Sequence, residues 1–431
     1  HLFGVQLSIE PFPGWSLGVN RLLEYGGGSG LPSSARFLIR DFFKPSGLSQ
    51  TQGNQQASYV SRFIFPAPTP FAVYFQYAGE DNSNGGSELL GNAALSAGID
   101  FPRIARHFDA TYEISEWQNI WYVHYIFLDG MTSDGLVLGT WGADQRNFNN
   151  GVGARSQLLR VGWEPPFGGY LELRARTLAN QTYAAVGAQR QFVSGEVPYP
   201  YFHYYDLSLS YSHPWNGVIV GGEALTGRDV YGESFTRISG FVRYGGAGRS
   251  REDDAGGEDS ADDAYGGEPG ERHGELFVDA GVQANQVRVD LSPPNPNTRS
   301  AVRVGAHFGL GARRAVSQHN DLGVRVELDG VQGHSLIGVR ALDYRHRFGD
   351  SFALGLFAGV DRYDLATPAY SLYWGGGVQW RNVLPAWDLG LDLRYGQNVA
   401  RDKLLPTDPP GDRPDSFYKI ASGVLYLSRR F

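Results

Sequence analysis

The sequence predicts an all-β fold, a transmembrane antiparallel β-barrel of about 18 strands, or 20, with short helical or irregular loop segments at or inside the lumen. Three observations carry that expectation. Apolar and polar side chains alternate over long runs, the connections between runs alternate between short and long, and aromatic residues close the ends of the apolar faces. The clearest run sets Trp387, Leu389, Leu391, Leu393 and Tyr395 against Asp388, Gly390, Asp392 and Arg394. An extended strand points successive side chains to opposite faces, so one face here is apolar and the other polar or tiny. The pattern recurs in Leu322, Val324, Val326 and Leu328 against Gly323, Arg325, Glu327 and Asp329, and in Val302–Leu310, Phe352–Val360 and Tyr205–Tyr211. Roughly 9–13 residues per run exceeds the ~5–6 of an average strand. A soluble sandwich would turn the polar face to water. A barrel turns the apolar face to lipid and the charged face to a wet lumen, where Asp392 would tolerate substitution better than Leu391.

Taken in order, nineteen segments read as strands, near 2–10, 14–25, 54–65, 70–78, 93–101, 107–115, 155–164, 169–178, 203–212, 217–227, 233–244, 275–290, 300–312, 320–329, 335–346, 351–363, 369–381, 386–397 and 416–431. Short connections include Glu10–Gly14, Phe65–Pro70, Pro165–Gly169, His213–Asn216, Phe348–Asp350 and Val383–Ala386. Long ones span roughly Tyr25–Gly53, Gly79–Asn92, Gln118–Ala154, Ala179–Phe202 and Asn398–Asp415. Short turns on one side and long loops on the other are the habit of bacterial barrels, whose strand number is normally even. An odd count therefore points to one misread segment or to a strand ahead of His1. Residues 1–431 are expected to form a single barrel. It is interrupted by residues 246–275, whose glycine and acid with almost no apolar side chain are sufficient cause for a disordered, solvated loop. Within 31–50, Phe37, Leu38, Phe42 and Phe43 oppose Arg36, Arg40, Asp41 and Lys44, the pattern of a short amphipathic helix at the lumen mouth.

Composition excludes several alternatives. The 431 residues include 58 glycines and no cysteine, with a net charge of -8 and no basic excess for nucleic acid. Without cysteine there is no disulfide framework and no thiolate chemistry. No run of ~20 apolar residues exists for a membrane helix. The start at His1, without a leader, reads as a processed chain.

Catalytic constellations are sparse. His124, Asp129 and Ser133 lie near one another in sequence, yet no G-x-S-x-G or H-E-x-x-H motif accompanies them. His203, His213 and His307 are scattered, so no metal and no cofactor is expected. Asp388 and Asp392 share a strand face about 13–14 Å apart, beyond the ~5–9.5 Å of glycosidase carboxylates. Arg394 and arginines on neighbouring strands are their expected partners, and no enzyme is expected.

A sugar-binding surface has more support, since sugar rings stack on aromatics and their hydroxyls need planar polar partners. Residues 118–150 supply Trp121, Tyr122, His124, Tyr125, Trp141, Asp144 and Arg146, and residues 191–205 supply Tyr199 and Tyr201.

The stretches "EPFPGWSLGVNR", "YGGGSGLP", "GNQQASYVSRFIFP", "FAVYFQYAGED" and "YVHYIFLDGMTSDGLVLGTWGAD", in that order, resemble the Wzi family of capsule-assembly outer-membrane barrels over roughly residues 1–155. Two positions depart from the family pattern, Met131 where it has an aromatic and Thr140 where it has a histidine. The resemblance implies an integral protein of the bacterial outer membrane, surrounded by its lipid, with an occluded lumen. It also implies loops exposed at the cell surface that bind exported polysaccharide, capsule or exopolysaccharide, without catalysis. The alternative is an outer-membrane channel, either a porin or a polysaccharide export pore. The last strand places Leu425, Leu427 and Phe431 on one face, which resembles the signal read by the barrel assembly machinery.

Overall fold

A computed structural model describes residues 2–26, 34, 36, 39, 53–66, 69–81, 90–105, 107–118, 121, 132–133, 136–137, 153–180, 201–244, 274–290, 298–364, 368–400 and 417–431. The proposed helix within 31–50 and the acidic segment 246–275 fall almost wholly outside these residues.

The first half of the chain carries β1 (Leu2–Phe12), β2 (Trp15–Tyr25), β3 (Gly53–Phe65), β4 (Phe71–Asp81), β5 (Leu90–Ile104), β6 (Phe108–Trp117), the two-residue β7 (Thr132–Ser133) and β8 (Leu136–Val137), β9 (Ala154–Trp163), β10 (Tyr170–Asn180), β11 (Tyr204–Trp215), β12 (Val218–Arg228) and β13 (Ser234–Tyr244). The second half carries β14 (Glu275–Asp290), the two-residue β15 (Thr298–Arg299), β16 (Arg303–Ala315), β17 (Asn320–Val331), β18 (His334–Phe348), β19 (Phe352–Tyr363), β20 (Ala369–Leu384), β21 (Trp387–Ala400) and β22 (Phe417–Arg430). Twenty of these strands form an eleven-stranded and a nine-stranded sheet, the higher of the two expected numbers, and β7–β8 stand apart as a pair. Every pairing is antiparallel, and each of the nineteen expected segments coincides with a long strand.

Tight hairpins show how sequence sets these turns. Asn216 and Gly217 have φ of 49° and 79°, and Gln332 and Gly333 have 53° and 90°. Two successive positive φ values form the mirror-image turn whose twist suits a two-residue hairpin, and Trp215↔Val218 and Val331↔His334 pair directly across them.

Closure occurs within the second sheet. β14 pairs with β16 on one side and with β22 on the other, in a ladder from Phe277↔Arg430 to Asp290↔Phe417. β14 and β16–β22 thereby form a ring of eight strands. A ring of about eight strands has an interior just wide enough to be filled by side chains. Here the fill is charged. Arg313, Arg325, Arg340, Arg345 and Arg394 lie buried with Asp279, Glu327, Asp329, Asp343, Asp361 and Asp392. Arg325 reaches Asp279 at 2.9 Å and Asp343 at 3.1 Å, and Arg340 reaches Asp392 at 2.8 Å. Arg394 crosses the ring to Asp329 at 2.9 Å, Glu327 at 3.2 Å and Asp361. Nearer the end where Val331 turns into His334, the interior becomes apolar, with Val287, Val331, Leu336, Tyr363, Ala369 and Ile420 packed together.

The outer face of the ring is apolar and open over much of its girth. Leu356 is 66% exposed, Leu393 65% and Leu310 60%. Trp374 stacks edge-on against Tyr395 at 5.9 Å, and Trp380 against Phe352 at 6.3 Å, as interfacial girdles require. The rest of the outer face is covered by the eleven-stranded sheet. Trp15, Phe63, Phe65 and Phe75 pack on Ala312, Leu322, Val324 and Val339, while Tyr77 and Ala93 meet Val360 and Tyr370. On its other face this sheet carries half-buried ion pairs, Arg160 with Asp109 at 3.1 Å and Arg174 with Glu223 at 2.8 Å. At such exposure each pair contributes little, about 0–1 kcal/mol.

Two sequence expectations change. Arg394 is not the partner of Asp388 or Asp392. Asp388 meets Arg430 at 3.4 Å, and Asp392 is held by Arg325, Arg340 and Arg345. Nor does Asp392 line water, being 1% exposed, because eight-strand closure leaves its side chain between guanidinium groups. Breaking such a buried pair from one side costs about 3–5 kcal/mol, against about 2–4 kcal/mol for an arginine on the lipid face at mid-bilayer. Urea titration of protein folded into lipid vesicles should therefore show Asp392→Ala losing at least as much stability as Leu391→Arg. A mild Asp392→Ala would contradict the buried pairing of Asp392.

Candidate glycan-contact surface

The two aromatic-rich connections leave the eleven-stranded sheet at the end where consecutive strands are farthest apart in sequence. β6 ends there at Trp117, β9 starts at Ala154, β10 ends at Asn180 and β11 starts at Tyr204. Trp117, Ala154, Leu178, Tyr204 and Val230 form a buried cluster, and Trp121, Tyr201, Tyr231 and Phe235 pack half-buried against it. One residue from each predicted loop, Trp121 and Tyr201, thus rests on the same cluster. Tyr201 meets Tyr231 edge-on at 6.0 Å, and Tyr204 meets Phe235 at 6.0 Å.

Backbone hydrogen bonds fix this surface. Gln118 donates its backbone N–H to the Ala93 carbonyl at 2.9 Å, and its side-chain carbonyl accepts from Ala93 N at 2.7 Å. The Gln118 amide also donates to the Pro368 carbonyl at 3.0 Å, tying the sheet to the ring, and Gln56 donates to the Trp121 carbonyl at 3.2 Å. Phe202 N donates to Val230 O at 2.8 Å, and Asn180 donates to Phe202 O at 3.0 Å.

The turn between β12 and β13 completes the surface. Asp229 Oδ1 accepts from the backbone N–H groups of Tyr231 at 2.9 Å and Glu233 at 2.8 Å, an aspartate closing a turn on its own chain. Gly232 lies at φ 89°, and a Cβ there would come within 3.1 Å of Phe202 and 3.2 Å of Arg228. The Arg228 guanidinium stands 5.1 Å from the Phe202 ring centroid while its Nε donates to Gly232 O at 2.9 Å. Phe202 is 47% exposed, so the surface offers an open aromatic ring beside a fixed cation. Beneath it, Arg176 pairs with Asp206 at 2.7 Å, and the Tyr204 hydroxyl donates to the same carboxylate at 2.6 Å. An aromatic ring with charged hydrogen-bonding groups around it is suited to a sugar ring.

Of the sequence candidates, Trp121 and Tyr201 are brought together. Tyr122, His124, Tyr125, Trp141, Asp144, Arg146 and Tyr199 lie outside the described residues. Phe202, Arg228, Asp229 and Tyr231 were not singled out in the sequence; the turn signal in "RDVYGES" was available, but nothing placed that turn beside residue 202. Among the described residues no group of histidine, aspartate and glutamate side chains is arranged to hold a metal ion.

Comparison with known proteins bears on the N-terminal part of the chain. Residues 1–155 match the family of the capsule assembly protein Wzi. The Wzi match spans β1–β8, with Trp121 among its residues, and so ends where β9 begins. No curated protein matches the sequence. Among solved structures, a triple mutant of the Rhodopseudomonas blastica porin is similar at 8% identity over 100% of both chains, with a TM-score of 0.21. A porin refined at 1.8 Å resolution aligns at 10% identity over 96% of this chain and 93% of its own, with a TM-score of 0.19. The FrpB iron transporter from Neisseria meningitidis aligns at 9% identity over 100% of this chain and 79% of its own, with a TM-score of 0.26.

The Asp229 turn makes a local prediction. Removing a side chain that satisfies backbone donors in this way typically costs about 1 kcal/mol, or roughly fivefold in a local opening constant. Hydrogen exchange at the Tyr231 and Glu233 amides should accelerate by about that factor in Asp229→Ala, with the exchange of β17 unchanged. Unaltered exchange at both amides would show that the turn does not depend on Asp229.

Proposed function

We propose that this protein is a non-catalytic outer-membrane barrel that binds or organises exported surface polysaccharide, as a lectin-like element of capsule or exopolysaccharide assembly. The observation that carries the reading is the convergence of Trp121, from the Wzi-matching part of the chain, with Tyr201, Phe202 and Arg228 on one end of the sheet. In this reading that end faces the cell exterior, the exposed Phe202 ring stacks on a sugar face, and Arg228 meets its hydroxyl or carboxylate groups. The apolar outer face of the ring meets outer-membrane lipid, and the strand ending at Phe431 serves the barrel assembly machinery. The reading is preferred to a channel because the ring interior is occupied by paired side chains.

A test uses a triple alanine variant of Trp121, Tyr201 and Phe202, with barrel folding verified by heat-modifiable gel mobility. An aromatic hot spot lost to alanine costs upward of about 1 kcal/mol, and a multivalent polymer multiplies that loss across its repeats. Retention of purified surface polysaccharide by the immobilised variant should fall by at least about tenfold. Undiminished retention by a folded variant would remove this surface from the function.

A further inference from the structure

The opposite end of the ring carries two consecutive arginines with contrasting surroundings. Arg430 points inward and is engaged by acids, with Asp388 at 3.4 Å and Glu275 at 3.7 Å, and it also donates to Asn382. Arg429 points outward, in the same alternation as the exposed Leu425 and Leu427, and is itself exposed. Its guanidinium lies 5.7 Å from the Trp387 ring centroid and 5.1 Å from that of Phe431. Among the described residues it enters no ion pair. A cation on the outer face of a barrel, at the margin of the apolar surface and between two girdle aromatics, sits where lipid headgroups lie.

We propose that Arg429, Trp387 and Phe431 form a binding site for the headgroup phosphate of an anionic membrane phospholipid in the leaflet around this end of the ring. The neighbouring Arg430 shows what the sequence does with an arginine whose charge is neutralised within the protein: it places carboxylates beside it. Arg429 has aromatic rings instead, which hold the guanidinium plane by cation–π attraction without consuming its hydrogen-bond donors. Those donors remain for phosphate oxygens, which they match in a planar, two-pronged geometry. Trp387 and Phe431 are themselves membrane-interface residues, so the acyl chains of the same lipid descend over Leu425 and Leu427 while its phosphate meets Arg429. The site is distinct from the glycan surface, which lies at the other end of the strands.

Native mass spectrometry of the detergent-purified, folded full chain, titrated with phosphatidylglycerol, tests the site. One basic side chain at an anionic membrane surface is worth about fivefold in affinity. The Arg429→Gln variant should bind the first phosphatidylglycerol about fivefold more weakly than the unaltered protein, and Arg429→Lys should keep most of the affinity. Trp387→Leu, which keeps the cation and loses one ring, should also weaken binding and serves if Arg429→Gln does not fold. Equal affinity in the unaltered protein and in the folded variants overturns the proposal. Displacement of the lipid by an equal concentration of inorganic phosphate also overturns it, by making the site one for free anions.

Discussion

The fold of the ring depends on the pairing of guanidinium and carboxylate groups across its interior. Removing so many charges from water is expensive, and only close pairing with further hydrogen bonds offsets it. The eight-strand ring answers that demand chiefly by ion pairing, with Arg313, Arg325, Arg340, Arg345 and Arg394 each addressing an acid from another strand. Arg394 on β21 meets acids from β17 and β19, and Arg340 on β18 meets acids from β17 and β21. Aromatic rings complete the packing, with Arg340 at 3.6 Å over Phe357, Arg394 at 3.9 Å over Tyr373 and Arg325 between Phe277 and Tyr426. The high glycine content has a direct use here. A Cβ at Gly355 would lie 2.8 Å from Arg345 Cδ, and one at Gly390 would run into the Tyr426 ring. Large side chains fill a narrow barrel only where small ones face them.

Strand existence was legible because each strand meets two different environments, and alternation records that difference residue by residue. Which strand pairs with which left no such record. The β14–β22 ladder that closes the ring is made of backbone groups common to every residue, so the same alternation serves a ring of eight strands or a wider barrel. The identity of the apolar surroundings was equally hidden. Phe63 is 1% exposed against the ring while Leu7 is 70% exposed, although both stand on the apolar face of one sheet. Lipid and a neighbouring sheet make the same demand on a side chain.

The candidate glycan surface was legible to the extent that it is local. Density of aromatics marked the stretches holding Trp121 and Tyr201. Phe202, Arg228 and Asp229 act together only because the β12–β13 turn folds against the start of β11, a contact between residues some 26 positions apart that sequence spacing does not announce. The same limit applied to the charges. Asp392 and Arg394 were evident as inward residues, but their partners on β17, β18 and β19 follow from closure and register.

Single-channel recording in planar lipid bilayers tests most directly whether the charge pairs seal the barrel. The protein folded into the membrane should show no stable ion-conducting openings, because the ring interior is occupied by buried, paired side chains. Large, stable openings of the unaltered protein would contradict the sealed ring and would favour a channel over a polysaccharide-binding surface protein.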